Sequence, residues 1–80
     1  MRKRPLPTAS SREYLAKIPG AYIVDAMDQL PPCGPESTGV QLMIDVPYSG
    51  NFRVTFKPLQ QTLRGWGTRW FWIPSKAEPL

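Results

Sequence analysis

Prolines limit what this chain can fold into, because ten of them are spread at short intervals through its 80 residues. Proline fixes φ and removes a backbone donor, so it ends helices and interrupts the hydrogen-bond ladder of a sheet. The prolines at 19, 31, 32, 58 and 74 therefore mark the predicted ends of regular elements. The apolar periodicity between them predicts what each element is.

The N-terminal half predicts helices. Ser10 to Glu13 match the capping-box pattern S-x-x-E, with Ser10 as N-cap, so a short helix is expected from about 11 to 17. A second helix is expected over about 21–30, although the stretch AYIV could instead be a strand. Its apolar residues recur at helical spacing: Ile23, Ala26, Met27 and Leu30. Residues 31–39, PPCGPESTG, have the composition of a loop.

From residue 40 the apolar period becomes two. VQLMIDV (40–46) and FRVTFK (52–57) alternate as half-buried strands, and PYSGN (47–51) joins them as a hairpin loop whose Gly and Asn supply positive φ. Pro58 is expected to end the second strand, residues 59–67 to form a longer turn, and TRWFWI (68–73) to form a third strand. The prediction is an α+β fold, with short N-terminal helical segments packed on a three-stranded antiparallel β-meander.

These elements predict one small domain over residues 10–74. Residues 1–9, MRKRPLPTA, are expected to form a basic, proline-rich arm, and residues 75–80, SKAEPL, an irregular polar tail.

Composition excludes several classes of protein. The chain has no histidine and a single cysteine, Cys33, so neither a metal site nor a Cys-His catalytic pair is expected. We therefore predict a protein that is not an enzyme and uses no cofactor. No apolar run approaches the ~18–20 residues that span a bilayer, and basic and acidic residues interrupt the N-terminal region where a signal peptide would need its apolar segment. A cytoplasmic protein without a membrane partner is expected.

Charge is segregated along the chain. Residues 1–12 contain four basic residues and no acid, residues 13–45 contain five acidic residues and one lysine, and residues 46–77 contain five basic residues and no acid. Such a distribution can steer a molecule towards a polyanion or towards an acidic protein surface.

The stretch RGWGTRWFWIP (64–74) holds all three tryptophans. A half-buried strand needs one apolar phase, and the third strand has two: Trp70 with Trp72, and Phe71 with Ile73. If Phe71 and Ile73 face the core, both tryptophans lie beside Arg53 and Lys57 on the outer face, an arrangement that suits single-stranded nucleic acid. Alternatively the N-terminal helices or the arm cover that face and the tryptophans are core, or the aromatic patch is a protein interface, where Trp and Arg are frequent hot spots.

Trp66 lies between Gly65 and Gly67, which indicates either a tryptophan presented at a loop tip or simply a turn that needs permissive backbone. The candidate residues for binding nucleic acid or a partner lie in the arm and in the basic, aromatic C-terminal half: Arg2, Lys3, Arg4, Arg53, Lys57, Arg64, Trp66, Arg69, Trp70 and Trp72.

These features predict a small non-catalytic binding protein that acts in a nucleoprotein context. Its expected partner is RNA, DNA or a ribonucleoprotein complex, contacted through the basic arm and a basic, aromatic sheet surface. The alternative is a protein–protein interaction module, such as a phage-type inhibitor or an accessory subunit that occupies a surface of a larger machine.

Overall fold

The computed structural model describes residues 12–80 and contains two short helices followed by three strands. The strands form one antiparallel sheet in the order β1-β2-β3, so the predicted α+β fold with helices on a β-meander is confirmed. The bounds of the elements are α1 Arg12–Ala16, α2 Gly20–Met27, β1 Val40–Val46, β2 Gly50–Leu63 and β3 Gly67–Pro79. The predicted arm at residues 1–9 and the predicted N-cap Ser10 lie outside the described residues.

Helix α2 starts one residue earlier and ends three residues sooner than predicted. Its C-terminal end continues as tight turns, in which the Gln29 amide donates to the Ala26 carbonyl and the Leu30 amide to the Met27 carbonyl, each at 3.0 Å. Two prolines follow at 31 and 32, so the backbone cannot continue as a helix. The predicted apolar side of the helix does face the core: Ala26 is buried, and Ile23, Met27 and Leu30 pack against it.

The helices and the inner face of the sheet enclose a small core. Helix α1 contacts β3 and α2 contacts β1, so both helices cover the same face of the sheet. The apolar residues that alternate along β1 and β2 face the core, as their periodicity predicted. Val54 and Phe56, at the centre of β2, are completely buried. The buried core residues are Ile18, Ala26, Ile44, Val46, Phe52, Val54, Phe56 and Ala77.

Strand β2 runs past the proline that was expected to end it. Pro58 lies inside the strand, and residues 59–63, predicted to be part of a turn, pair with β3 instead. The reason is that β1 pairs with β2 only as far as Phe56, so Pro58 lies where β2 has one neighbour. Proline is tolerated at such edge positions, where fewer ladder hydrogen bonds are required of the strand.

The prediction of an irregular tail from residue 75 is wrong, since β3 continues through Pro79. A β-bulge explains how a polar segment fits the sheet: Phe56 pairs with Pro74 and Thr55 with Lys76, which leaves Ser75 as an extra residue. An extra residue reverses the inward phase of a strand. Ala77 therefore faces the core opposite Val54, where it is completely buried.

The two hairpin turns share one geometry. The Ser49 amide donates to the Val46 carbonyl at 3.0 Å, and the Trp66 amide donates to the Leu63 carbonyl at 2.9 Å. The third residue of each turn has positive φ, 70° at Tyr48 and 82° at Gly65, as in a type II turn. A glycine with positive φ follows each turn, Gly50 and Gly67. In the first loop the two residues with positive φ are therefore Tyr48 and Gly50. The prediction named Gly50 and Asn51, so it was right for the glycine and wrong for the asparagine.

Candidate functional site

The outer parts of β2 and β3 form a two-stranded ribbon, residues 57–73, that extends past the end of β1. Within the sheet these residues pair only with each other, from Lys57 opposite Ile73 to Leu63 opposite Gly67. Seven residues per strand, at ~3.3 Å each, make the ribbon about 23 Å long. The ribbon accounts for much of the elongation of the molecule, whose extents are 57 × 30 × 20 Å.

The ribbon carries positive charge only. Lys57, Arg64 and Arg69 are exposed on it, and residues 57–73 contain no acidic residue. Within the described part of the chain none of these three cations has an ion-pair partner, the one salt bridge there being between Arg53 and Glu78. Their charge is therefore available to an external anion.

Arg53, another predicted site residue, differs from these three. It lies on the outer face of the sheet below the ribbon, and its guanidinium Nη1 is 2.9 Å from Glu78 Oε1 on β3. The register places the two residues directly opposite each other. Because Glu78 neutralises it, Arg53 is a weaker candidate for anion binding than the ribbon cations.

The structure adopts the phase of β3 that places Trp70 and Trp72 on the same side as the core. Trp72 packs against the core, and its indole Nε1–H donates to the Pro31 carbonyl at 2.7 Å. Burial of an indole is favourable when its N–H finds an acceptor, and the proline loop supplies one. Neither tryptophan lies on the outer face beside Arg53 and Lys57. Of the interpretations that the sequence left open, the one in which the tryptophan packs against the core is correct for Trp72.

The outer face of the ribbon instead carries Phe71, which was not among the binding residues predicted from the sequence. Phe71 pairs with Leu59, and their side chains are 40% and 42% exposed. The pairs on either side of them place Lys57 and Arg69 on the same face. Basic and apolar side chains thus alternate along this outer face, on which Ile73, opposite Lys57, is also 37% exposed. The signal was present in the sequence as the second apolar phase of residues 69–73.

Trp66 lies at the tip of the ribbon and is 72% exposed. The neighbouring Gly65 and Gly67 both have positive φ, so the turn needs them for its backbone and the tryptophan is presented to solvent as well. The two interpretations of this motif are therefore compatible.

Polar, uncharged side chains near the tip were also missed. They are exposed on both faces of the ribbon, between the apolar pairs and the turn: Gln60, Gln61, Thr62 and Thr68. Together with Arg64 and Arg69 they give the outer half of the ribbon many hydrogen-bond donors and acceptors. The ribbon thus contains six predicted residues, of which four are exposed, Lys57, Arg64, Trp66 and Arg69, while Trp70 and Trp72 are half-buried. Arg2, Lys3 and Arg4 lie outside the described residues.

Two further observations concern the described residues 12–80. They contain no cluster of three or more His, Cys, Asp or Glu side chains arranged to hold a metal ion. Neither of their helices has the length and apolar character required to cross a bilayer.

Comparison of the chain with protein-family models, with curated proteins and with solved structures found no match.

Proposed function

We propose that this chain is a small non-catalytic binding protein of the cytoplasm that contacts nucleic acid in a nucleoprotein context. The observation that carries the proposal is the ribbon, a projecting element with three exposed cations, no acidic residue and no internal ion pair among the described residues. Such an element suits a polyanion, because cations that bind phosphates release condensed counterions and gain affinity from that release.

Two features strengthen this proposal. Trp66 and Phe71 place partly exposed aromatic rings next to the ribbon cations, and aromatic rings can stack on bases or pack on sugars. The six acidic residues of the described chain lie outside the ribbon, three of them on α2 and in the loop that follows it, and none of the six forms an ion pair with a ribbon cation. The N-terminal residues Arg2, Lys3 and Arg4 would add phosphate contacts.

The proposal is tested with a variant that removes the charge of the ribbon, Lys57→Ala, Arg64→Ala and Arg69→Ala together. Binding to a fluorescein-labelled oligonucleotide is measured by fluorescence anisotropy at salt concentrations from about 50 to about 200 mM. Affinity that depends on phosphate contacts falls steeply over this range. Each lost phosphate contact should lower the slope of log K against log salt by about 0.7–0.9. We expect weaker binding and, for three lost contacts, a slope whose magnitude falls by about 2.1–2.7.

A matched control removes the same amount of charge outside the ribbon, through Arg12→Ala, Lys17→Ala and Lys76→Ala. Both variants keep the same net charge, so a general loss of electrostatic attraction would weaken them equally. Circular dichroism establishes that both are folded. Equal affinities of the two variants, or wild-type protein that binds no oligonucleotide at all, would contradict the proposed function.

A second candidate function is protein–protein contact, as in an inhibitor or accessory subunit that occupies the surface of a larger machine. The observation in its favour is the apolar part of the outer sheet face, where Met43 is 64% exposed in addition to Leu59 and Phe71. Exposed apolar surface bordered by cations is typical of protein interfaces with aromatic and Arg hot spots. Met43→Ser, outside the ribbon, would then weaken binding to a protein partner while leaving oligonucleotide affinity almost unchanged.

A further inference from the structure

We infer that the ribbon is built to enter the major groove of double-stranded DNA and to contact the edges of its bases. This inference rests on the proposed function and specifies the class of nucleic acid that the site would bind. Its basis is the shape of the ribbon, the chemistry of the side chains near its tip, and the positions of the tryptophans.

The shape of the ribbon fits the groove. Two strands about 4.8 Å apart, with side chains on both faces, match a major groove of B-DNA that is ~12 Å wide and admits a two-stranded ribbon. Because the pairing of β1 with β2 ends at the pair Val40–Phe56, no third strand among residues 12–80 widens the element beyond that point. The narrow part is about 23 Å long, which is longer than the groove is deep, ~8.5 Å. The sheet and helices would therefore remain outside the duplex.

The side chains near the tip have the chemistry of base recognition. Gln61 and Arg69 lie directly opposite each other on one face of the ribbon, and Thr62 and Thr68 are opposite each other on the other face. Arginine pairs with the O6 and N7 acceptors of guanine, and glutamine with N6 and N7 of adenine. These residues are all exposed, and the outer half of the ribbon contains no carboxylate that would repel the flanking phosphates.

The aromatic side chains favour a duplex over a single strand. A platform for single-stranded nucleic acid needs aromatic faces lying open beside cations. Trp72 is committed to the core and to the Pro31 carbonyl, and Trp70 lies on the same side of β3. This leaves Phe71 on the outer face of the described ribbon strands and Trp66 in the turn at the tip. The pairs from Gln60–Trp70 to Leu63–Gly67 lie between these two rings, so the rings do not form one continuous stacking surface.

The width of the ribbon favours a DNA duplex over an RNA duplex. The major groove of an A-form duplex is deep and too narrow for side chains to reach its bases. A ribbon shaped for the wider groove of B-DNA can contact an RNA duplex only through its phosphates. We therefore expect preferential binding to DNA duplexes at equal charge density.

The experiment compares three labelled ligands of one sequence and length, a 20-base-pair DNA duplex, the corresponding RNA duplex and the single DNA strand, with the full chain. At fixed salt the DNA duplex should bind at least about tenfold more tightly than the RNA duplex, a factor in keeping with one well-formed bidentate base contact. A DNA duplex carrying bulky glucosylated cytosines in its major groove should lose this advantage. A minor-groove drug should not displace the protein.

A double variant links the preference to the ribbon. Gln61→Ala with Arg69→Lys keeps the net charge while removing the two side chains suited to bidentate contacts, so it should lower DNA duplex affinity about tenfold or more and leave RNA duplex affinity within about twofold. Lys17→Ala with Gln29→Ala, on the helices, is the control and should preserve the preference.

The outcomes separate the two proposals. Binding of all three ligands with equal affinity, or tighter binding of the single strand, would overturn the major-groove inference while the proposed nucleic-acid function stands. Displacement by the minor-groove drug would also overturn the inference. No binding of any ligand would reject the proposed function itself.

Discussion

Tyr48 occupies a backbone position that tyrosine disfavours. It is the third residue of the turn from Val46 to Ser49, has φ of 70°, and its side chain is fully exposed. The equivalent residue of the other hairpin is Gly65, with φ of 82°. Left-handed backbone costs a residue with a Cβ roughly 1–2 kcal/mol, whereas glycine adopts it freely. The first hairpin therefore stores backbone strain that the second one avoids.

Tyr48→Gly should stabilise the protein. Relief of the left-handed strain exceeds the entropy that glycine adds to the unfolded chain, so we expect the free energy of unfolding to rise by roughly 0.5–1 kcal/mol. Urea denaturation followed by tryptophan fluorescence measures this change. Gly65→Ala is the reciprocal variant and should destabilise by about 1 kcal/mol. A decrease in stability for Tyr48→Gly would show that the tyrosine ring makes a favourable contact.

At the scale of elements, the bulge at Ser75 determines which residues of β3 face the core. Before the bulge Trp72 and Pro74 lie on the inner side, opposite Pro58 and Phe56, and after it Ala77 does. Without the extra residue, regular alternation would place Lys76 opposite Val54, in the core. The bulge thus allows a polar C-terminal segment to complete the sheet.

Deletion of Ser75 should therefore be tolerated. Removal of the extra residue leaves Phe56 opposite Pro74 and Val54 opposite Ala77, so the loss of stability should be about 1 kcal/mol or less. Thermal unfolding followed by circular dichroism measures it. Deletion of Thr55, on the strand facing the bulge, is the matched control. It shifts the inward phase of half of β2 and should unfold the protein. Equal effects of the two deletions would contradict this account of the bulge.

The elements also show what the sequence could and could not predict. The first hairpin, its inward phase and the apolar side of α2 were predictable, because a single periodicity governs each of them. The lengths of β2 and β3 were not, since Pro58 was expected to end a strand. Proline is permitted there only because the pairing of β1 with β2 ends at Phe56, and this is a property of the whole sheet that the local sequence does not show.

The candidate site was predictable in part for the same reason. The cations Lys57, Arg64 and Arg69 and the exposed Trp66 could be selected from composition and turn residues alone. The phase of Trp70 and Trp72 could not be, because both phases of this strand are apolar. It was fixed by the core and by the acceptor that Pro31 provides for one indole. The polar residues near the tip became candidates only once residues 59–63 were placed in a strand.

At the scale of the whole molecule, the fold separates a folded body from a projecting ribbon. All the buried core residues lie outside residues 57–73, and among the ribbon residues Trp72 packs against that core. The body should therefore not need the outer ribbon for its stability. The ribbon, in contrast, depends on the body, because an isolated two-stranded hairpin is marginally stable in water.

Shortening the ribbon tests this separation. Leu59 and Phe71 are directly paired, so residues 60–70 can be replaced by Asn-Gly, the preferred two-residue hairpin turn. We expect the free energy of unfolding to change by less than about 1 kcal/mol and oligonucleotide binding to be lost. Urea denaturation and fluorescence anisotropy measure the two quantities. An unfolded product would refute the independence of the body, and full binding would refute the role of the ribbon.

The continuity of β2 through body and ribbon gives one strand two local stabilities. Amide hydrogens near Val54 and Phe56 should exchange with solvent only when the whole protein unfolds, whereas those hydrogen-bonded across the ribbon near Gln61 should exchange by local opening. Hydrogen exchange followed by NMR should thus show protection that falls from one end of the strand to the other. Any ligand that holds the ribbon rigid would raise the protection of the amides at the outer end of β2. Exchange rates along this one β-strand would therefore report both global unfolding, near Val54, and ligand binding, near Gln61.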